Sequence, residues 1–247
     1  MKVSIFMPKY KSYAELMNLA RRQMNGKLAL LIGAMLLQEL IILLANSVGI
    51  LLFPETDLIS NILYFIITFI IQLFAGILQV GSCLLFLHTA CNMPCQISDL
   101  FYAFKHSPDK AIKVQFVFAS INAICMLPAN IITWMAPDGL DYNTLLTTSI
   151  ATLIGTFVYM LITLPIFPMF YLLLDFPNLT VTVLFKKSFA IMKGNCIRYL
   201  LLQFCFLPLM LLSVFTCFIA LIWVIPYMNV TCTNFYLDIM ACRNRQM

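Results

Sequence analysis

The chain has 247 residues, of which 62% are hydrophobic and 10% are charged, with a formal net charge of +5 and a mean hydropathy of +0.96. A soluble domain carries about 25% charged residues, so this composition excludes a water-soluble globular fold. Several apolar tracts exceed the ~18 residues that cross a bilayer: 28–53, 59–87, 114–136, 145–174 and 199–241. The sequence therefore predicts an all-α integral membrane protein.

The N-terminal segment is polar and basic, and it predicts an interfacial helix over residues 12–25. Ser12 and Glu15 have the spacing of a capping box at its start, and Gly26 supplies its end. The apolar run that follows is too long for the core of a signal peptide and has no small-residue cleavage site. We therefore expect residues 28–53 to remain as the first span, followed by residues 59–87.

The charges of the loops predict the orientation of the spans. Loops 54–58 and 137–144 contain acids and no base, namely Glu55, Asp57, Asp138 and Asp141. Loops 88–113 and 175–198 contain bases, namely Lys105, Lys110, Lys113, Lys186, Lys187, Lys193 and Arg198. Since short basic loops are retained in the cytoplasm, we expect the N-terminus and both basic loops inside, around spans 114–136 and 145–174.

The last apolar tract allows two interpretations, because one helix needs only about 20 residues to cross a membrane. A single span gives five spans and leaves Arg243 and Arg245 outside. A hairpin of 199–216 and 219–240 gives six spans and places all 15 Lys and Arg residues on the cytoplasmic side. We predict six spans with the C-terminus inside, although the turn at 215–218 contains no Gly, Pro or charge.

A short amphipathic segment precedes each predicted hairpin. Beside 12–25, we expect interfacial helices over residues 97–106 and 180–193. The second starts at Ser98 and ends at Pro108, and the third is capped by Thr180 and ends at Gly194. The sequence thus predicts three units, each consisting of a cytoplasmic helix followed by a transmembrane hairpin. The alternative is that cytoplasmic connections are basic and amphipathic without true repetition.

The assembled motifs resemble a family of bacterial integral membrane proteins known as domain of unknown function 975. The matching pieces are YAEL at 13–16, ISDLF at 97–101, DFP at 175–177, MKGN at 192–195 and WVIPY at 223–227. The resemblance implies a multi-span fold and no particular activity. Family members have glycines around the final hairpin turn, whereas this chain has none after Gly194.

Glu39, beside Gln38, is the only acid deep inside an apolar tract. An ionisable group in the membrane costs ~3 kcal/mol or more to insert and marks a candidate functional site. Glu39 would relay protons, coordinate a cation or pair with a basic substrate. The alternative is a protonated or hydrogen-bonded structural residue, with Gln72 and Gln79 as partners.

Asp175 is the second candidate, since it follows the proline-broken stretch 165–168. Prolines free carbonyls that can line a cavity, although Asp175 also fits an interfacial acid at the start of the third amphipathic segment. His88, Cys91 and Cys95 are too few for a recognisable zinc site, so no metal is predicted. No Walker loop, nucleophile elbow or HExxH motif is present, and we predict neither an enzyme nor a cofactor.

The basic faces of the interfacial helices are candidate membrane-surface contacts: Arg21, Arg22, Lys186, Lys187 and Lys193. Each base near an anionic leaflet gains ~1 kcal/mol, although the same charges also serve to set orientation alone. Our leading hypothesis is a non-enzymatic scaffold or accessory factor in the cytoplasmic (cell) membrane. Its partners would be the bilayer, anionic lipids or another membrane protein, and not nucleic acid. The alternative is a small transporter or exporter with Glu39 in its path.

Overall fold

The computed structural model describes residues 10–52, 58–135 and 141–244, and these ranges are helical with no β-strand among them. The predicted all-α class is thereby confirmed. Some charges used to orient the spans lie outside the described residues: Lys2, Lys9, Glu55, Asp57, Asp138 and Arg245. The helices are α1 Tyr13–Gln23, α2 Leu28–Leu52, α3 Leu58–Ala90, α4 Tyr102–Lys105, α5 Pro108–Trp134, α6 Tyr142–Thr163, α7 Met169–Asp175, α8 Val181–Met192, α9 Cys196–Phe204, α10 Leu207–Phe215 and α11 Leu221–Asn244.

Within the described ranges, five helical segments are long and apolar enough to cross a membrane. They are Leu28–Leu52, Leu58–Ala90, Pro108–Trp134, Tyr142–Asp175 and Cys196–Phe215. Their outer faces carry exposed leucine, isoleucine and phenylalanine side chains. Soluble proteins rarely expose an apolar surface of this extent to water. The chain is therefore a helical protein suited to a membrane. The sixth predicted span, 219–240, corresponds to α11, which is not one of these segments.

The start of α1 has the capping box that the sequence predicts. The Glu15 carboxylate accepts a hydrogen bond from the Ser12 N–H at 2.8 Å, and the Glu15 N–H donates to the Ser12 hydroxyl at 3.3 Å. Gly26 and Gly194 follow α1 and α8 with φ of +80° and +84°, a left-handed conformation that suits glycine. Both helices therefore end where the sequence indicates.

Helix α5 begins at Pro108, earlier than the predicted span at 114. Proline fits the first helical turn because its missing N–H would have no partner there, and Asp109 favours the positive end of the helix dipole. The preceding 3-10 helix Ile97–Phe101 begins before Ser98, since Gln96 and Asp99 form its cap. An apolar tract marks the part of a helix in the membrane, not the whole helix.

The fourth membrane segment is broken, as its prolines predict. Helix α6 passes into a 3-10 helix, Leu164–Ile166, before α7 starts at Met169. The carbonyl of Pro165 accepts a hydrogen bond from the Ser188 hydroxyl of α8 at 2.7 Å. This carbonyl is therefore satisfied by a neighbouring helix and does not line a cavity.

Helices α9–α10 and α11 form an antiparallel hairpin. Residues of the two arms contact each other in antiparallel order, from the open end of the hairpin toward its turn: Arg198 with Asp238, Gln203 with Cys232, and Phe206 with Tyr227. The turn spans residues 216–220, where Cys217 and Phe218 have φ of 50° and 64°. The Phe218 N–H donates to the Ser213 carbonyl at 2.7 Å, so some backbone polar groups of this apolar turn are hydrogen-bonded within the chain.

The connecting segments meet at one end of the bundle, which we call the basic end: α1, residues 91–107, α8 and the C-terminal half of α11. Gln23 donates to the Ala90 carbonyl and Lys27 to the Met93 carbonyl, both at 2.7 Å. Half of the largest fully buried side chains of the described residues lie in these segments, such as Leu16, Leu184 and Tyr236. The opposite halves of the membrane helices are exposed and apolar, so the packed core lies toward the basic end.

Candidate functional site

A cavity of about 510 Å³, which we call the central cavity, is open to the outside and is lined by residues of α2, α3, α5, α6, α7, α9 and α11. This volume is in the range of small-molecule sites, about 300–1,000 Å³. Its polar lining is unusual for the interior of a membrane protein. These residues are Gln38, Glu39, Gln79, Gln115, Thr163, Tyr159, Tyr171, Tyr199, Gln203 and Asn229.

Glu39 borders this cavity halfway along α2. At a rise of about 1.5 Å per residue, its Cα lies about 17 Å from the start of the helix, in the middle of a membrane segment. The side chain is exposed, on the same part of the α2 surface as the exposed Leu36, Leu40 and Leu43. Among the described residues it has neither a hydrogen bond nor an ion pair, so the carboxyl is free to meet a ligand or proton.

Gln38, by contrast, is held in place by α3. Its side-chain amide donates to the Gln79 side-chain oxygen at 3.3 Å, and its own oxygen accepts a hydrogen bond from the Ser82 hydroxyl. Gln79 therefore pairs with Gln38 and not with Glu39, contrary to the structural alternative raised from the sequence. The α2–α3 wall of the cavity is fixed by amide hydrogen bonds beside the unpaired acid.

The wall made by α5 depends on Gly76 of α3. A Cβ built on Gly76 would lie 2.3 Å from Cβ of Gln115, so a larger residue would push the helices apart. The close approach places the half-buried Gln115 amide at the cavity wall. Glycine here allows a polar side chain of α5 to reach the space beside α3.

The opposite wall is aromatic and polar. Gln203 of α9 donates to the Tyr199 hydroxyl at 2.7 Å, and the Tyr171 hydroxyl lies 3.0 Å from the hydroxyl of Thr233. Phe167, in the break between α6 and α7, stacks on Tyr199 with ring centroids 4.1 Å apart. The broken helix thus contributes an aromatic side chain to the wall in place of a backbone carbonyl.

A second cavity, of about 290 Å³, lies between α3 and α5 on the side away from the basic end. Asn61, Thr68 and Gln72 of α3 recur at spacings that share one helical face with Gln79. Asn122, Asn130 and Thr133 of α5 line the other side. Polar side chains therefore continue along both helices from the central cavity toward the opposite membrane face.

Asp175 lies apart from the residues that line the central cavity. It ends α7 and accepts a hydrogen bond from the hydroxyl of Tyr236 in α11. The rings of Tyr236 and Tyr171 stack with centroids 5.0 Å apart. The structure does not bring Asp175 together with Glu39, and its contacts are those of a structural carboxylate.

The candidate surface bases divide into two groups. Arg21, Arg22, Lys186 and Lys193 are exposed at the basic end. The ammonium of Lys187 instead lies 2.9 Å from the ring centroid of Phe176. Partial burial lowers the pKa of Lys187, as does the nearby Arg243, while Asp175 acts in the opposite direction.

An ion pair that the sequence analysis did not identify joins α9 to α11. The Arg198 guanidinium donates to the Asp238 carboxylate at 2.8 Å, with side chains only 15% and 5% exposed. The same guanidinium donates to the carbonyl of Lys11 at 2.6 Å. Asp238 falls in an apolar tract near its end, and its burial depends on a partner 40 positions away that local pattern does not reveal.

The His88 ring and the Cys95 thiol have other partners. The His88 ring lies 3.2 Å from the Asp99 carboxylate, and the Cys95 thiol lies 3.4 Å from the Thr89 hydroxyl. In the part of the chain that the structure describes, no group of three or more His, Cys, Asp or Glu side chains is arranged to hold a metal ion.

Three amides of the central cavity were not identified from the sequence, where ionisable groups were considered first. Gln115, Gln203 and Asn229 are each isolated in an apolar tract, and that isolation is a usable signal. The sequence does not show that these residues line the same cavity, because they belong to three helices far apart along the chain.

The comparisons with known proteins identify a family without an assigned activity. The sequence model of the family described as "Protein of unknown function (DUF975)" matches residues 7–243. Neither the curated proteins nor the solved structures contain a match to the chain. The family assignment covers all of the elements described above except the last residue of α11.

Proposed function

The chain belongs to this family of unknown function, and within it we propose a transporter for a small polar or cationic solute that binds beside Glu39. The observation that carries the proposal is the central cavity at the mid-length of α2, with an unpaired carboxyl and several amides on its wall. This makes the second of the two sequence-based hypotheses the better supported one.

Unpaired polar and ionisable side chains are rare in the interior of membrane proteins. Amide and carboxyl groups in the membrane interior cost several kcal/mol when unpaired. Within the described ranges Gln38 and Gln203 have partners, whereas Glu39 has none. A bound cation or a proton would satisfy this carboxylate, and exchange of one for the other is the elementary step of proton-coupled transport.

The second cavity, between α3 and α5, supports a route for the solute. The amides of Gln72, Asn122 and Asn130 face it and give hydrogen-bonding positions beyond the central cavity. A solute leaving Glu39 would exchange one set of amides for the next without crossing a purely apolar barrier.

The arrangement across the membrane follows from the hairpin and the basic end. Because α11 runs antiparallel beside α9–α10, a membrane crossing by that segment returns the chain to the basic end. We infer six spans in the cytoplasmic membrane, with the basic end and both termini in the cytoplasm. The three-unit plan remains part of this proposal, supported by the matched glycine ends of α1 and α8.

The test uses proteoliposomes loaded with a pH-sensitive dye. Ethylammonium, choline and putrescine are added outside in turn, and we expect at least one to drive proton release from the lumen. Glu39→Gln should abolish that release, because the amide can neither carry a proton nor attract a cation. Asp109→Asn removes an exposed acid outside the cavity and should leave the release unchanged.

Two results would overturn the proposal. One is that none of the three cations moves protons through the unchanged protein. The other is that Glu39→Gln transports as well as the unchanged chain, which would remove the central carboxyl from the mechanism.

The non-enzymatic accessory role is the second candidate, favoured by the exposed Arg21, Arg22, Lys186 and Lys193 at the basic end. Such a surface would dock an acidic cytoplasmic partner. Replacing these four residues with Gln should then abolish co-purification of that partner after gentle extraction. A pure chain recovered alone from its native membrane would contradict this role.

A further inference from the structure

A third cavity, of about 420 Å³, opens at the side of the bundle between α1, the start of α2, α10 and α11. We call it the lateral groove, and its residues are Met17, Arg21, Met24, Asn25, Gly26, Leu28, Leu209, Trp223, Val224 and Tyr227. None of these residues lines the central cavity. A ligand here would therefore act independently of transport beside Glu39.

The lateral groove changes in polarity along its length. Arg21 and Asn25 are exposed where α1 ends at the basic end, and within the described residues the Arg21 guanidinium has no hydrogen-bond or carboxylate partner. Leu209, Trp223 and Val224 lie nearer the α10–α11 turn and are apolar. The Tyr227 hydroxyl, donating to the Met17 carbonyl at 3.3 Å, connects the two parts.

The surface around the groove faces a lipid environment. Leu211, Leu212, Ile222 and Trp223 are all exposed, at 45–63% of their surface, beside its apolar part. Such a surface on a membrane segment is covered by acyl chains. The ligand must therefore combine an apolar body, which enters from the bilayer, with an anionic group that reaches Arg21.

We propose that the lateral groove binds one anionic phospholipid from the leaflet at the basic end. Its phosphate pairs with the Arg21 guanidinium, whose planar donors suit phosphate oxygens, and the Asn25 amide adds a hydrogen-bonding group. One acyl chain lies along Leu209, Val224 and Trp223. Lipid at this position joins α1 to the α10–α11 hairpin.

The experiment uses Trp223 as the reporter. The chain has two tryptophans, so Trp134→Phe leaves Trp223 alone. This variant is reconstituted into phosphatidylcholine vesicles in which a fixed fraction of lipid has brominated acyl chains, either phosphatidylglycerol or phosphatidylcholine. Bromine quenches only a tryptophan in contact with the chain, so the quenching difference measures headgroup preference in the groove.

We expect brominated phosphatidylglycerol to be favoured about five-fold at the Trp223 site at low salt, the effect of one base near an anionic headgroup. Arg21→Gln in the same background should remove most of this preference. Arg22→Gln is the matched control, because Arg22 is also exposed but does not line the groove, and it should keep the preference.

Equal quenching by the two brominated lipids would overturn the proposal, and that comparison needs no change at Arg21. Equal loss of preference in Arg21→Gln and Arg22→Gln would also overturn it, since this would mean diffuse attraction to a basic surface. Folding of each variant is checked by circular dichroism and by a single peak in gel filtration.

Discussion

At the scale of single residues, the Arg198–Asp238 pair connects three distant parts of the chain. Arg198 lies in α9, Asp238 in α11, and both contact the backbone of Lys11 ahead of α1. The rings of Tyr10 and Phe235 lie 4.4 and 5.0 Å from the guanidinium carbon. These contacts join α9, α11 and the segment that precedes α1 at the basic end.

Asp238→Asn should lower the free energy of unfolding by about 3 kcal/mol, because it leaves the buried Arg198 guanidinium without its counter-charge. The measurement is a denaturant titration in mild detergent. The double variant Asp238→Asn with Arg198→Gln should recover part of the loss, since no uncompensated charge remains. A single variant as stable as the unchanged chain would show that the pair contributes nothing.

At the scale of helices, close packing against α3 depends on glycine. A Cβ built on Gly81 would lie 1.9 Å from the Leu100 carbonyl oxygen, which belongs to the 3-10 helix Ile97–Phe101. Because the obstructing atom is backbone, no side-chain rotation can relieve the contact. Gly81 therefore allows the segment 91–107 to pack directly against the C-terminal part of α3.

Gly81→Ala should therefore destabilise the protein by about 1–3 kcal/mol, the usual cost of overpacking. Gly33→Ala is the matched control, since Gly33 is also helical and nothing lies within 4 Å of a Cβ built there. Alanine at Gly33 should be neutral or stabilise by about 0.5–1 kcal/mol through its higher helix propensity. The melting temperatures of both variants in detergent give the comparison. Equal melting temperatures would contradict the packing argument.

Helix α11 differs from the five long apolar segments in carrying several polar side chains that are buried. Thr231, Thr233, Asn234 and Asp238 are polar, and all four are buried among other helices. A helix surrounded by protein meets little lipid, so its side chains can hydrogen-bond to neighbours, as Asn234 does by donating to Gln23 at 2.7 Å. Low apolar content is therefore compatible with a crossing helix at the centre of the bundle.

At the scale of the whole molecule, the connecting segments of the basic end carry much of the buried core, while the opposite halves of the membrane helices carry many exposed apolar side chains. The residue pairs of the final hairpin place the end of α11 beside the start of α9. Five and six spans thus differ in one measurable property, which is the side of the membrane that carries the C-terminus.

We expect the C-terminus on the same side as Cys91 and opposite Cys217. Three single-cysteine chains test this: Cys91 alone, Cys217 alone, and Met247→Cys with all native cysteines replaced by Ser. Both native thiols are exposed, one after α3 and the other in the α10–α11 turn. A membrane-impermeant maleimide on intact cells should label only the Cys217 chain. Labelling of the Met247→Cys chain from outside would establish five spans.

The sequence by itself determined the helical class, the positions of the long apolar helices, the capping box at Ser12, the break near Pro165 and the position of Glu39 as an isolated acid in an apolar tract. These follow from local rules: apolar length, cap spacing, proline geometry and the cost of a charge in lipid. The tertiary structure alone decided which polar groups meet. One cavity is lined by Glu39, Gln115, Gln203 and Asn229, and Arg198 forms an ion pair with Asp238. Both arrangements arise because helices distant in sequence pack side by side. Local pattern carries no information about those pairings.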